Sequence, residues 1–188
     1  MAAEDDSGGR KPRVRLLDAK ELLQHGLKIL ASRALSAGEV RVRLQRKAQI
    51  PADVDSVLAQ LREHGFLNDE RFAEHYALAR RDTQGFGKIR VLRDLRQRRV
   101  APAVAGGAVE QVFAGTDEEE LVKNFLVRKH RNVDLHAYLQ DPKHLQSAFR
   151  KLRYAGFGAS PAIKVLKRYA SAAEELEDDA EPEADLSA

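Results

Sequence analysis

The sequence predicts an all-α fold built from three tandem three-helix repeats in an elongated, curved array. A basic amphipathic segment, an apolar residue and a proline that opens another apolar run recur along the chain. The anchor leucines of this pattern, Leu44, Leu95 and Leu152, are roughly 50 residues apart, a period typical of stacked helical units. Charged residues make up 32% and aromatic residues 6% of the chain, and β-branched residues never alternate over a long run. Thin helical layers are therefore favoured over strands or one large core.

The first repeat is predicted over 16–67, after a segment, 1–15, that is rich in glycine and charge and that we expect to be disordered. Residues at helical spacing indicate its first helix: Leu23, Leu27, Leu30 and Ala34. The second helix carries Leu44. Pro51 suits the first turn of the third helix, and Gly65 suits a left-handed C-terminal cap.

The second repeat is predicted over 68–115 and the third over 116–170. Prolines at 102, 142 and 161 and a capping box from Thr116 to Glu119 indicate helix starts in these repeats. The glycines at 106 and 107 lie inside a helix, so we expect this helix to be the least stable. The last segment, 171–188, is predicted to be an acidic disordered tail. The alternative is that this acidic tail competes with the partner for the basic helical part of the chain.

Composition sets the broad class of the protein. The chain has no cysteine, which removes disulfides, thiolate metal sites and thiol nucleophiles, and fits a reducing compartment. No apolar run approaches the length of a membrane helix, and the first residues do not have the pattern of a signal peptide. We therefore expect a soluble cytoplasmic protein. A monomer is a separate expectation.

Basic residues on predicted helix faces are the strongest functional signal. The guanidinium group of arginine can form two hydrogen bonds to one phosphate or carboxylate, and contacts with DNA phosphates release counterions. Arg90, Arg93 and Gln97 are predicted to point away from the core. The alternative is a solvated helix face, and charge alone does not distinguish a phosphate partner from an acidic protein surface. The candidate partner-binding residues are Arg43, Arg46, Arg80, Arg81, Lys88, Arg90, Arg93, Arg96, Arg98, Arg99, Arg150, Lys151 and Arg153.

The segment from Gly85 to Lys88 resembles two phosphate-binding motifs. It lacks the complete phosphate loop and follows no predicted strand, so nucleotide binding is not expected. Two interpretations remain: a DNA-binding hairpin whose backbone N–H groups hold phosphate, and a tight interhelical turn, which is favoured.

No pattern predicts catalysis. The six histidines lack paired ligand spacing, and the acidic residues at helix starts are explained by capping. We therefore expect no enzymatic activity, no metal and no cofactor.

Two motifs at fixed spacing in the second repeat resemble the RecX family. They are Asn68 to Ala73 at its start and Gly85 to Arg90 after it. The run from Ala31 to Ser36 is similar to the opening of that family, and the run from Arg153 to Phe157 is similar to its closing unit. The resemblance covers roughly residues 20–170. Ala48-Gln49, where the family usually has a glycine, departs from it.

This resemblance implies a regulator that binds in the groove of the filament of RecA recombinase on DNA. Such a protein restrains filament growth, ATP turnover and strand exchange in recombination and DNA repair. The alternative is a basic architectural protein that binds single- or double-stranded DNA without sequence preference and has no dedicated protein partner. A metal-dependent hydrolase or nuclease has no supporting group of residues.

Overall fold

The computed structural model describes residues 15–177, which are almost entirely helical. The α-helices are α1 (Ala19–Ser32), α2 (Ala37–Gln45), α3 (Asp53–Glu63), α4 (Asp69–Ala79), α5 (Lys88–Gln97), α6 (Pro102–Phe113), α7 (Glu118–Lys129), α8 (Leu135–Leu139), α9 (Pro142–Tyr154) and α10 (Ala159–Leu166). A π-helical segment, Arg80–Gln84, continues α4, and a 3-10 helix, Ser171–Glu177, follows α10. Within the described residues, extended backbone pairs only in an isolated bridge between Leu17 and Ala48. The predicted all-α class is confirmed.

The chain divides into two compact units, one ending at Asn68 and one beginning at Asp69. In the first unit, α1, α2 and α3 enclose a core of aliphatic side chains that includes Leu22, Val40, Leu44, Val57, Leu58 and Leu61. Capping boxes begin α1 and α2, because Asp18 and Ser36 each accept from a backbone N–H three residues on. Gly65 has φ 73° after α3, which confirms the predicted left-handed cap.

The inward face of α1 differs from the predicted stripe. Leu22 and Gly26 are buried, whereas the leucines at 23, 27 and 30 are only half-buried and Ala34 is exposed beyond the helix. A Cβ at Gly26 would lie 3.1 Å from Leu61 Cδ1. The helix therefore packs closely on α3 at its glycine, and its buried face includes this position.

The second unit contains two clusters of buried side chains. One is formed mainly by α4, α5 and α6 and includes Ala73, Ala77, Val91, Leu95, Val109 and Phe113. The other is formed mainly by α7 to α10 and includes Leu126, Leu139, Leu152, Phe157, Val165 and Leu166. Phe86 and Leu121 pack against both clusters. The division into three repeats stays a prediction, since the contacts separate the chain only between Asn68 and Asp69.

Local sequence sets the starts of these helices. Pro102 and Pro142 occupy the first turns of α6 and α9, as predicted. The predicted capping box at Thr116 is wrong: Asp117 caps α7 by accepting from the N–H groups of Glu119 and Glu120, at 2.9 and 3.3 Å. Asp134 caps α8, a short helix that the apolar pattern did not predict.

The predicted start of the disordered tail at residue 171 is wrong. Ala173 and Leu176 of the 3-10 helix are buried in the cluster formed by α7 to α10. Apolar side chains at this spacing hold the acidic segment on the protein through its first turns. The rest of the predicted tail, 178–188, lies outside the described residues, as does 1–14 of the N-terminal segment.

A close backbone contact joins the start of α5 to the end of α9. The N–H of Gly87 donates to the carbonyl of Ala155 at 2.9 Å, and the N–H of Ile89 donates to the carbonyl of Gly156 at 3.2 Å. These bonds satisfy donors that a helix start leaves without an intrahelical partner. A Cβ at Gly87 would lie 2.2 Å from the oxygen of Gly156, so no side chain fits between the two segments.

We predict opposite effects of alanine at two glycines of the second unit. Gly87→Ala should destabilise the fold by about 2 kcal/mol or more, because its methyl group meets backbone atoms that cannot move independently. Gly107→Ala should stabilise it by about 1 kcal/mol, because a Cβ there meets nothing within 4 Å and alanine favours the helix. Urea unfolding of each variant measures both effects.

Hydrogen exchange of the same Gly107→Ala variant gives a second measurement of its effect. Gly107 is exposed, so alanine can replace it without a clash and stabilise the helix. The amides of α6 should therefore exchange more slowly than in the wild type. A destabilised Gly107→Ala variant would show instead that this glycine is needed for close packing.

Two half-buried histidines have lowered affinity for a proton. Partial burial, then the positive charges of Lys151 and His144, hold the pKa of His130 below its ordinary value. Burial, then Lys47 and Lys28, lower the pKa of His25. The ring of His130 also packs on Tyr138, with centroids 4.9 Å apart.

Stability should therefore fall as the pH drops below about 6.5, the ordinary histidine pKa. In that range the unfolded chain binds protons that the folded chain does not bind, so protonation favours unfolding. Urea midpoints measured between about pH 7.5 and pH 5.5 test this sign. The double variant His25→Gln, His130→Gln should give a shallower pH dependence, and an unchanged slope would contradict the prediction.

Candidate partner-binding surface

The helix α5 presents its residues on two distinct faces. Val91, Asp94 and Leu95 are buried, whereas Arg93 and Gln97 are exposed on another side of the helix wheel. Asp94 is charged, but its side chain pairs with Arg90, whose Nε lies 2.9 Å from Asp94 Oδ1. The buried carboxylate is thus satisfied from within its own helix, at i,i+4 spacing.

Arg90 is part of the packing, so the prediction that it points away from the protein is wrong. Its side chain is only 20% exposed. The guanidinium lies 5.2 Å from the ring centroid of Phe86 and 4.7 Å from that of Tyr154. Its Nη1 also approaches the backbone carbonyl of Tyr154, at 3.4 Å. Arg90 therefore connects α5 to the last residue of α9.

Tyr154 is the most exposed of the large hydrophobic residues in the described chain, at 69%. Arg93 reaches it from α5: the guanidinium lies 5.6 Å from the ring centroid, and Nη2 lies 3.4 Å from the carbonyl oxygen. Arg150 and Lys151 are exposed on α9, one helical turn before Tyr154 and on the same side. We call Arg93, Arg150, Lys151 and Tyr154 the basic strip.

Two other predicted arginines cover aromatic side chains of α4. Arg98 lies 5.0 Å from the ring centroid of Phe72 and 5.2 Å from that of Tyr76. Arg80 lies 4.8 Å from the same Tyr76 ring. Both guanidiniums shield half-buried rings through cation–π contacts, so they contribute to packing as well as to surface charge.

Several further candidates bind groups within the protein. Arg81 donates to the carbonyl of Val112 and pairs with Asp82 at 2.7 Å. Lys88 lies 3.4 Å from Glu110, at ion-pair distance. Arg153 donates to the carbonyl of Phe157 at 2.9 Å. Arg96 is half-buried, and Arg99 is exposed with φ 60° just after α5.

The candidates of the first unit lie at the end of α2. Arg43 donates to the carbonyl of Glu39 at 2.9 Å, within the same helix. Arg46 is exposed and follows the last residue of that helix. Thus Arg93 contacts Tyr154 in the second unit, and Arg150 and Lys151 lie one turn before Tyr154 on α9, whereas Arg43 and Arg46 belong to a separate unit.

The segment from Gly85 to Lys88 is a tight interhelical turn. Its first three N–H groups donate to backbone carbonyls: Gly85 to Arg81, Phe86 to Arg80, and Gly87 to Ala155. The groups that would hold phosphate in a DNA-binding hairpin are already used. Arg128 closes the turn by donating to the carbonyl oxygens of Thr83, at 2.9 Å, and Gln84.

From 15 to 177, no group of three or more His, Cys, Asp or Glu side chains is placed to hold a metal ion. No helix in this range is long and apolar enough to cross a membrane.

The list of basic residues predicted from the sequence missed Tyr154. A local signal for it exists, because Lys151 and Arg150 precede it by three and four residues on one helix face. The contribution of Arg93 has no such signal, since it depends on the contact between α5 and α9.

Comparison with known proteins identifies the family. Residues 68–108 match the second three-helix domain of RecX. The regulatory protein RecX of Treponema pallidum is 30% identical over 129 residues, covering 69% of this chain and 75% of the relative. The regulatory protein RecX of Deinococcus radiodurans is 28% identical over 158 residues, covering 82% of this chain and 72% of the relative.

Solved structures show the same fold. The crystal structure of RecX from Lactobacillus salivarius has a TM-score of 0.62 at 13% identity, and the match covers 80% of this chain and 96% of that chain. A second crystal structure, of a regulatory protein RecX, has a TM-score of 0.63 at 20% identity, over 78% of this chain and 70% of that chain. With these helices and this sequence similarity, the chain belongs to the RecX family of regulatory proteins.

Proposed function

We propose that this protein binds the filament of RecA recombinase on DNA and restrains its ATP turnover, its growth and strand exchange. The observation that carries the proposal is the basic strip, which joins exposed cations of α5 and α9 on one surface of a RecX-family fold. In this proposal the protein is a regulator without catalytic activity, and it acts in the cytoplasm in recombination and DNA repair.

The electrostatics of the strip support an anionic partner. The sequence of α9 contains no acidic residue. The one carboxylate of α5, Asp94, is buried and pairs with Arg90. The cations of the strip are therefore not neutralised by acidic residues of their own helices, and they are free to meet phosphates or carboxylates of a filament.

The strip also decides which arginines to test. Replacing Arg90 would remove contacts to Asp94, Phe86 and Tyr154, so a loss of function would have two explanations. Exposed residues avoid this ambiguity, because surface substitutions away from packing usually change stability by about 0.5 kcal/mol or less.

We predict that the triple variant Arg93→Ala, Arg150→Ala, Lys151→Ala folds normally and restrains RecA about tenfold less effectively. The measurement is ATP hydrolysis by RecA on single-stranded DNA, titrated with wild type or variant. If the strip contacts phosphates, the salt dependence of binding should also become shallower, by up to about one unit of slope for each lost contact.

The matched control removes an equal charge from scattered exposed positions: Lys20, Arg62 and Lys123. This variant should restrain RecA like the wild type. Equal restraint by a folded strip variant would exclude the strip from the mechanism. If the wild-type protein binds DNA but leaves RecA turnover unchanged, the alternative of an architectural DNA-binding protein is favoured.

A further inference from the structure

We infer that Tyr154 is a base-stacking platform for single-stranded nucleic acid, and that Arg93, Arg150 and Lys151 hold the phosphates beside it. This site does not require the proposed action on RecA, because its ligand is the nucleic acid strand itself. Three features of Tyr154 support this site: its exposure, the charges around its ring, and the contacts that hold its backbone.

The exposure of Tyr154 is not needed for folding. The aromatic residues of the neighbouring core, Phe125, Phe149 and Phe157, are at least 94% buried, whereas Tyr154 at the end of α9 is 69% exposed. A tyrosine that contributed only to packing would turn its ring inward. Tyr154 stays 69% exposed although Arg90 and Arg93 lie against its ring, and a planar base can stack on the part of the ring that they leave open.

The charges around the ring match a nucleotide strand. Two guanidiniums lie within 6 Å of the ring centroid, Arg90 at 4.7 Å and Arg93 at 5.6 Å. Arg150 and Lys151 extend the positive charge along α9. A base on the ring and phosphates on the flanking cations reproduce the combination found where proteins bind single strands without sequence preference.

The same surroundings disfavour an apolar protein anchor. Lysine and serine are depleted in protein–protein interfaces relative to the rest of the surface. The residues that share the face of Tyr154 on α9 are Ser147, Arg150 and Lys151, which are polar or charged. We therefore favour nucleic acid over protein as the occupant of the ring face.

The backbone that carries the ring is held in place before any ligand binds. Arg90 and Arg93 both approach the carbonyl of Tyr154, at 3.4 Å, and the next two residues bond to the start of α5. Since the backbone of Tyr154 is held on two sides, little ordering is needed on binding. Stacking on this ring should therefore contribute directly to affinity.

The test compares two strands of equal charge: an oligothymidylate of about 12 nucleotides and an abasic strand of the same length. Wild-type protein should prefer the thymidylate. Tyr154→Ala should weaken thymidylate binding about tenfold and leave abasic binding unchanged, because it removes stacking without removing charge. Tyr154→Phe, which keeps the stacking ring, should bind both strands like the wild type.

The control is Phe66→Ala, which removes an exposed aromatic ring of the first unit and should not change binding. The chain has four tyrosines and no tryptophan, so tyrosine fluorescence gives a second readout. Thymidylate should quench it in the wild type and less in Tyr154→Phe.

Three results would overturn the inference: normal thymidylate binding by Tyr154→Ala, an equal loss on both strands, or absence of binding by the wild type. A Tyr154→Ala variant that binds thymidylate normally but fails to restrain RecA would assign the ring to a protein contact instead. Conversely, if Tyr154 governs strand binding and the wild type does not affect RecA, the proposed function fails and this site stands.

Discussion

The second unit depends on one close contact between backbones, at Gly87 and Gly156. A Cβ at Gly156 would lie 2.2 Å from the backbone nitrogen of Arg90, and its φ of 88° also favours glycine. The resulting hydrogen bonds complete the start of α5, which has no side-chain cap. The same contact carries Tyr154 to within reach of Arg90 and Arg93. The fold and the candidate surface therefore share a single geometric constraint.

The arginines of this chain have two roles that composition alone does not separate. The guanidinium groups of Arg90, Arg98 and Arg153 contact groups within the protein. Arg90 pairs with a carboxylate, Arg98 packs on an aromatic ring, and Arg153 donates to a carbonyl. Arg93 and Arg150 remain at the surface. The number of basic residues on a helix therefore overestimates how many can bind a partner, because some guanidinium groups pack within the protein.

The sequence was sufficient for features that depend on local chemistry. Helical periodicity predicted the all-α class, prolines predicted the starts of α6 and α9, and Gly65 predicted a left-handed cap. Features that depend on tertiary contact were missed. Leu22 and Gly26 are buried because α3 approaches there, and Arg90 is held by a residue far along the chain. For the surface, the cations on each helix were predictable, but their assembly around Tyr154 was not.

The arrangement of the strip has a mechanical consequence. Arg93 belongs to α5, whereas Arg150, Lys151 and Tyr154 belong to α9. The ends of the two helices are joined by backbone hydrogen bonds and by the contacts of Arg90 and Arg93 with Tyr154. A ligand that contacts both helices binds more tightly when their ends are in contact than when they are apart. It therefore stabilises the state in which the ends are in contact. Binding along a polyanion would thus stiffen the second unit where its two clusters meet at Phe86. In the proposed function, the filament would be such a ligand, and the gain in stability at the junction would depend on contacts to both helices at once.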